Sequence, residues 1–174
     1  MVYLFLTTGF ETVEALTAVD LLRRAKIELT TVSITGSVEV TSSLNVTVKA
    51  DQLYEDIDFS DAEALILPGG PGTSSYMECQ ALCELLVKNH QEGKLVAAIC
   101  AAPTILAKNG ILVKSTVYPS MKDEIADYVQ QKVCVDGNVI TGEALGASVD
   151  FALEIIKYLL DEEVANTVAA GIVK

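Results

Sequence analysis

The 174-residue chain has one histidine, His90, and only 12 lysines and arginines against 24 aspartates and glutamates. A lone histidine leaves any cysteine-histidine enzyme with a single candidate base. The formal charge of -12 repels phosphate backbones and anionic lipid, so nucleic acid and membrane surfaces are excluded as natural partners. Long apolar runs are missing too. The longest mostly apolar stretch, Leu95 to Ala107, is interrupted by Pro103 and is too short to span a bilayer. The opening residues, MVYLFLTTGFE, lack a basic region ahead of the apolar run and a small-residue cleavage signature after it. They read as a buried strand rather than a signal peptide, and the protein as cytoplasmic. Internal repeats, low-complexity tracts and Pro/Ser-rich linkers are also absent, which predicts a single domain over residues 1–174.

What the chain does have is apolar mass: 51% of residues are hydrophobic and 21% charged. At this length, folding buries roughly 70% of the unfolded surface without covalent staples. The four cysteines, Cys79, Cys83, Cys100 and Cys134, read as free thiols rather than a disulfide framework. Short apolar runs alternate with helix-period stretches, the pattern of an α/β protein with a doubly wound, mostly parallel sheet and helices on both faces. Strands are predicted at Val2–Leu6, Ile27–Ile34, Ala64–Leu67, Leu95–Ile99 and Ser115–Val117. Val38–Val40 and Val46–Val48 form a short antiparallel excursion, and Lys132–Thr141 a hairpin turning at Asp136-Gly137. Helices are predicted at Glu11–Lys26, Ser74–Asn89, Pro103–Lys108, Lys122–Gln130, Ala147–Leu160 and Glu163–Ala170. In the first of them Val13, Leu16, Val19 and Leu22 form the apolar stripe, and Arg23, Arg24 and Lys26 close the last turn, where the dipole favours cations.

Open α/β sheets hold ligands outside the carboxyl ends of their strands, and Cys100 is the reactive side chain the sequence places there. It lies where Leu95–Ile99 passes abruptly into a helix at Pro103, a geometry that lifts a nucleophile above the sheet. Amides at a helix start lower a thiol pKa by one to several units from about 8.5, so Cys100 is expected to ionise near neutral pH. Gly69, Gly70 and Gly72 also follow a strand and precede a helix, so their amides can hold an oxyanion. They match neither GxGxxG nor GxxxxGK[ST]. Glu14, early in the first helix, belongs to the same edge; burial beside a thiolate would raise its pKa and let it shuttle a proton. Glu11 and Glu14 also suit a helix start on electrostatic grounds alone. His90 ends the helix that feeds Leu95–Ile99, on the opposite edge of the sheet, and reads as a solvated surface residue. Cys79 and Cys83, four apart on one helix, lack the further ligands a metal site needs and read as packing residues. Cys134 falls in a hairpin strand. No metal site and no cofactor is implied.

Four runs in this chain, Ala97-Ala98-Ile99-Cys100-Ala101-Ala102-Pro103, Leu67-Pro68-Gly69-Gly70, Gly9-Phe10-Glu11-Thr12-Val13-Glu14 and Asp20-Leu21-Leu22-Arg23-Arg24-Ala25, together resemble the ThiJ/PfpI superfamily. Within it they are most similar to the deglycase branch associated with parkinsonism and its bacterial relatives. The resemblance covers essentially the whole chain. It implies a flavodoxin-like fold in a homodimer, with Cys100 as the reactive cysteine and Glu14 as a protonated glutamate touching its sulfur. Gly69, Gly70 and Ala101 would supply the amide pocket. Where that branch commonly carries a histidine before a proline, this chain has Tyr118-Pro119. A phenol, with a pKa of about 10, is a poor base but can donate a hydrogen bond. The superfamily's peptidases place a histidine immediately after the cysteine; Ala101 stands there instead, which disfavours a peptidase. Class I glutamine amidotransferases need a His-x-Glu pair after the cysteine, and no histidine follows His90. The expected activity is cofactor-independent chemistry on small reactive carbonyls, of glyoxalase or deglycase type. The alternative is a redox-responsive stress-protection protein or chaperone, in which an oxidant converts Cys100 to sulfinate.

Overall fold

The computed structural model describes residues 1–111 and 113–174. Its centre is a seven-stranded sheet formed by β1 (Val2–Leu6), β2 (Leu29–Ser33), β5 (Gln52–Leu53), β6 (Ala64–Leu67), β7 (Leu95–Ile99), β8 (Val133–Asp136) and β9 (Val139–Gly142). The spatial order is β5-β2-β1-β6-β7-β9-β8, and β8 alone runs antiparallel to its neighbour. A separate two-stranded ribbon, β3 (Glu39–Thr41) with β4 (Thr47–Lys49), is the expected antiparallel excursion.

The two-sided burial follows from sequence. Every residue of β1, VYLFL, is buried, and alternate side chains serve opposite faces. Val2, Leu4 and Leu6 join Ile66, Ala97 and Ile140 under α1 (Thr12–Arg24), α5 (Ser148–Leu159) and α6 (Glu162–Gly171). Tyr3 and Phe5 join Leu65, Val96 and Ala98 under the helices that follow β6 and β7. Burying each such leucine or phenylalanine contributes roughly 1.5–3 kcal/mol. In that second core Tyr76, fully buried, donates its hydroxyl to the Phe5 carbonyl at 3.0 Å.

Several elements depart from expectation, each for a local reason. The helix predicted over Ser74–Asn89 is split into α2 (Ser75–Glu78) and α3 (Gln80–Gln91) by Cys79, whose φ of -89° and ψ of 82° are non-helical. Ser115–Val117 is no strand; Ser115 meets Tyr128 through one isolated bridge. The helix predicted over Lys122–Gln130 is replaced by a 3₁₀ turn, Pro119–Glu124, which Pro119 starts and the extended Ile125 ends. In α1 the apolar stripe is rotated: Val13 is 44% exposed while Glu14 is 1% exposed. That inversion places a carboxyl where periodicity alone puts a valine, and it faces the carboxyl edge of the sheet.

Candidate active site

Cys100 follows β7 directly and has a φ of +64°, a left-handed conformation that a residue with a Cβ adopts only when its surroundings impose it. Both of its backbone groups are pinned. Its N–H donates to the Gly142 carbonyl of β9 at 2.9 Å, and its carbonyl accepts from the Tyr118 N–H at 2.8 Å. The chain then turns through Ala101 and Ala102, with Ala102 N–H donating to Ile99 O at 3.1 Å. Pro103 opens α4 (Pro103–Lys108). Cys100 is half-buried, and the backbone N–H groups of Ala101 and Gly70 favour its charged form.

Glu14 comes from the first turn of α1, which Glu11 caps by accepting from Val13 N–H at 3.4 Å. Its Oε2 accepts the Gly69 N–H at 2.9 Å. Oε1 is buried and has no partner among the described residues, while the Cys100 thiol is the carboxyl's titratable contact. A buried acceptor with nothing to accept from is best served by holding a proton itself. Burial accordingly pushes the Glu14 carboxyl up to about 7, with the Glu11 charge adding to it while the Gly69 N–H and the neighbouring Cys100 thiol pull the other way. Burial also pushes the Cys100 thiol up to about 12, and the Glu14 charge reinforces it; the amides of Ala101 and Gly70 pull the other way and lose. The expectation of a thiol ionised on its own near neutral pH is thereby corrected. The carboxyl therefore gives up its proton well before the thiol does, and above about pH 7 the ionised Glu14 is the group beside the thiol able to take its proton.

Gly69 lets these parts meet. A Cβ there would stand 2.6 Å from Cys100 Cβ, 2.9 Å from Glu14 Oε2 and 2.9 Å from the Ile99 carbonyl. The structure also divides the expected amide pocket. Gly69 spends its N–H on Glu14, leaving Gly70 and Ala101 as the amides that favour a thiolate at Cys100. Tyr118 is joined to the cysteine through its backbone, and its side chain is 45% exposed. His90 lies before β7 and Cys100 after it, so they occupy opposite edges. His90 is half-buried rather than solvated, with Nδ1 buried and without a partner among the described residues. Cys134 is buried in β8 and donates its thiol to Lys114 O at 3.4 Å. Gly142 is the site residue that no local motif announces: its carbonyl holds the Cys100 N–H only because β9 pairs with β7.

Comparison with known proteins extends this geometry. Residues 1–158 match the DJ-1/PfpI family. The chain belongs to the DJ-1/PfpI family. Protein dj-1beta of Drosophila melanogaster is 39% identical over 174 residues, covering 96% of this chain and 93% of that protein. The glutathione-independent glyoxalase DJR-1.2 of Caenorhabditis elegans is 34% identical over 122 residues, 67% of this chain and 66% of that protein. The solved structure of oxidized Toxoplasma gondii DJ-1 superposes with a TM-score of 0.96 at 31% identity, covering 99% of this chain and 97% of that one. The flavodoxin-like arrangement expected from the sequence is thus the arrangement of the DJ-1/PfpI family.

Proposed function

We propose that this protein converts small reactive carbonyls such as methylglyoxal without a cofactor, using Cys100 as nucleophile and Glu14 as proton carrier. The observation that carries the reading is the buried Glu14 carboxyl against the Cys100 thiol, with its pKa raised to about 7. A carrier poised near the working pH gives and takes protons with least penalty. The Cys100 proton passes to the Glu14 carboxylate, and the thiolate adds to the aldehyde carbon. The carbonyl π electrons become an alkoxide lone pair, which the Gly70 and Ala101 amides suit. Glu14 returns its proton to that oxygen, giving a hemithioacetal. The carboxylate then removes the hydrogen from the former aldehyde carbon and delivers it to the neighbouring carbon, while the hemithioacetal hydroxyl proton passes to the neighbouring carbonyl oxygen, leaving a thioester of the 2-hydroxy acid. Water cleaves the thioester, releasing lactate and the free thiol. The glyoxalase named among the relatives in Caenorhabditis elegans supports this class of substrate.

A second reading rests on the same amides. Two backbone donors and a carboxyl around one sulfur also suit a sulfinate, so an oxidant could convert Cys100 stepwise to that acid. Methylglyoxal consumption by wild type and Cys100→Ser, alongside intact mass after graded peroxide, separates the two. Turnover lost on substitution supports the enzyme; gain of two oxygens at Cys100 in a protein with no turnover supports the sensor and overturns the first reading.

The expected homodimer in the cytoplasm belongs to the same proposal. Val13, Leu44 and Val46 are exposed apolar residues, and the ribbon turn carrying the last two is tied to the start of α1 by Ser43 N–H donating to Phe10 O at 2.9 Å. A second copy covering that strip would remove it from water. Among the described residues no helix is long and apolar enough to cross a membrane.

A further inference from the structure

The strap that holds the cysteine elbow from outside the sheet has an anchor of its own. Residues 116–118 run beside β9 before Pro119 opens its turn, and Thr116 and Val117 are fully buried. Thr116 N–H donates to Thr141 Oγ1 at 3.0 Å, and the Thr116 hydroxyl donates to Gln131 O at 2.7 Å. Two residues on, Tyr118 N–H reaches the Cys100 carbonyl at 2.8 Å. Thr141 pairs with Ala98 of β7 and Cys134 of β8 and is 1% exposed. Strand alternation puts it on the face of Val139, in the second core. Packing alone favours valine there, with the same shape and no hydroxyl to desolvate. What requires the hydroxyl is the Thr116 N–H, a buried donor in need of an acceptor.

Strand β9 therefore grips both sides of the elbow. Gly142 O takes the Cys100 N–H directly, while its neighbour Thr141 holds the strap whose amide holds the Cys100 carbonyl. A left-handed residue with a Cβ persists only while its surroundings over-determine it, and one of the two clamps runs through Thr141. We propose that Thr141 is a positioning residue for Cys100: its hydroxyl, acting through Thr116 and the Tyr118 amide, keeps the cysteine in the left-handed conformation that sets its thiol against Glu14. This rests on the carbonyl-converting reading only in taking Cys100 as the reacting thiol. Replacing the hydroxyl by a methyl group leaves the Thr116 N–H buried without its acceptor, and the strap must shift to find another. Once the strap lets go, the sulfur swings away from Glu14. Burial and the Glu14 charge, which push the thiol up to about 12, then weaken together. The thiol ionises more easily, but the carboxylate that takes its proton is left behind.

The test compares Thr141→Val, which keeps the shape, with Thr141→Ser, which keeps the acceptor. Iodoacetamide labelling at about pH 8 with peptide mapping should show Thr141→Val labelling Cys100 at least about tenfold faster than wild type, one unit of thiol pKa being worth that factor. The buried Cys83 should label at an unchanged rate, and Thr141→Ser should stay within about threefold of wild type at Cys100. Methylglyoxal turnover should move the opposite way, with kcat in Thr141→Val at least about tenfold lower and KM within about threefold. Thr141→Ala, which is smaller, gives the same readout if valine crowds the strap. A Cys100 labelling rate within about threefold of wild type in Thr141→Val, an equal rise at Cys83, or a Thr141→Ser protein that behaves as Thr141→Val would each overturn the proposal. Labelling needs no carbonyl substrate, so a wild-type protein without turnover would end the carbonyl reading while the labelling rates still decide the role of Thr141.

Discussion

Two turns in this molecule present a cysteine at a helix start, and they are built differently. At Cys100 the backbone is held at a φ of +64° between carbonyl and amide partners from other elements, and a buried carboxyl waits beside the sulfur. At Cys79 the φ is an ordinary -89°, and the neighbouring sulfur is another thiol. A shared position does not give a shared chemistry. The first turn gains a carboxyl beside its thiol because a second helix delivers Glu14 to it; the second, with an unstrained backbone and Cys83 one helix turn on, is a helix boundary.

The largest effect that would break this contrast lies at the two thiols themselves. Cys100→Ser should lower methylglyoxal turnover by at least about a thousandfold, and Cys79→Ser by less than about twofold, in steady-state assays at neutral pH. Equal losses would erase the distinction. Next comes the carboxyl. Glu14→Gln keeps an acceptor for Gly69 N–H but carries no exchangeable proton, so turnover should fall about a hundredfold or more in the same assay; a change within threefold would reduce Glu14 to a helix-start acid.

The same carboxyl sets a pH dependence of stability. Its folded pKa, about 7, stands above the ordinary 4.5, so the folded state binds the proton more tightly than the unfolded state. The benefit is complete below about pH 4.5 and is lost as pH rises through 7. The loss amounts to about 3 kcal/mol at most, from 1.36 kcal/mol per unit. Denaturant titrations at pH 5 and pH 8 should show wild type losing more stability than Glu14→Gln, and parallel losses would refute the assignment. Gly69→Ala should cost about 2 kcal/mol from crowding alone, read as a lower denaturation midpoint, because the added methyl meets Cys100, Glu14 and a backbone carbonyl together. The smallest expected effect is a gain. Tyr118→His places an imidazole, with a pKa of about 6.5, beside the elbow and should raise turnover roughly tenfold, short of the hundredfold of an optimally placed base. A fall instead would show that the phenol already acts as an acid.

Much of this was legible in the sequence because it was local. The apolar run Leu95–Ile99 ending at Cys100 and Pro103 announces its own elbow, and Leu67-Pro68-Gly69-Gly70 its own turn. Glu14 was legible as a candidate but its burial was not, since helical period alone puts Val13 inward; only contact with Gly69 N–H and the Cys100 thiol explains the rotation. The division of labour between Gly69 and Gly70 depends on where α1 sits against β6, and the part played by Gly142 depends on strand pairing, so neither has a signature in its own neighbours. The stretch after α4 misled for another reason. Its polar, helix-tolerant residues read as a helix, yet Pro119 and the extended Ile125 confine it to one tight turn.

The hydrogen bond from Tyr118 N–H to the Cys100 carbonyl turns that backbone amide into a reporter. The amide lies outside the sheet ladder and is held by the elbow carbonyl alone, so it can exchange with deuterium whenever the elbow lets go, without the sheet coming apart. Its protection therefore measures the free energy of relaxing the strained cysteine, separately from global unfolding. Covalent change at the sulfur should register there as a change in exchange rate, well before the rest of the molecule responds.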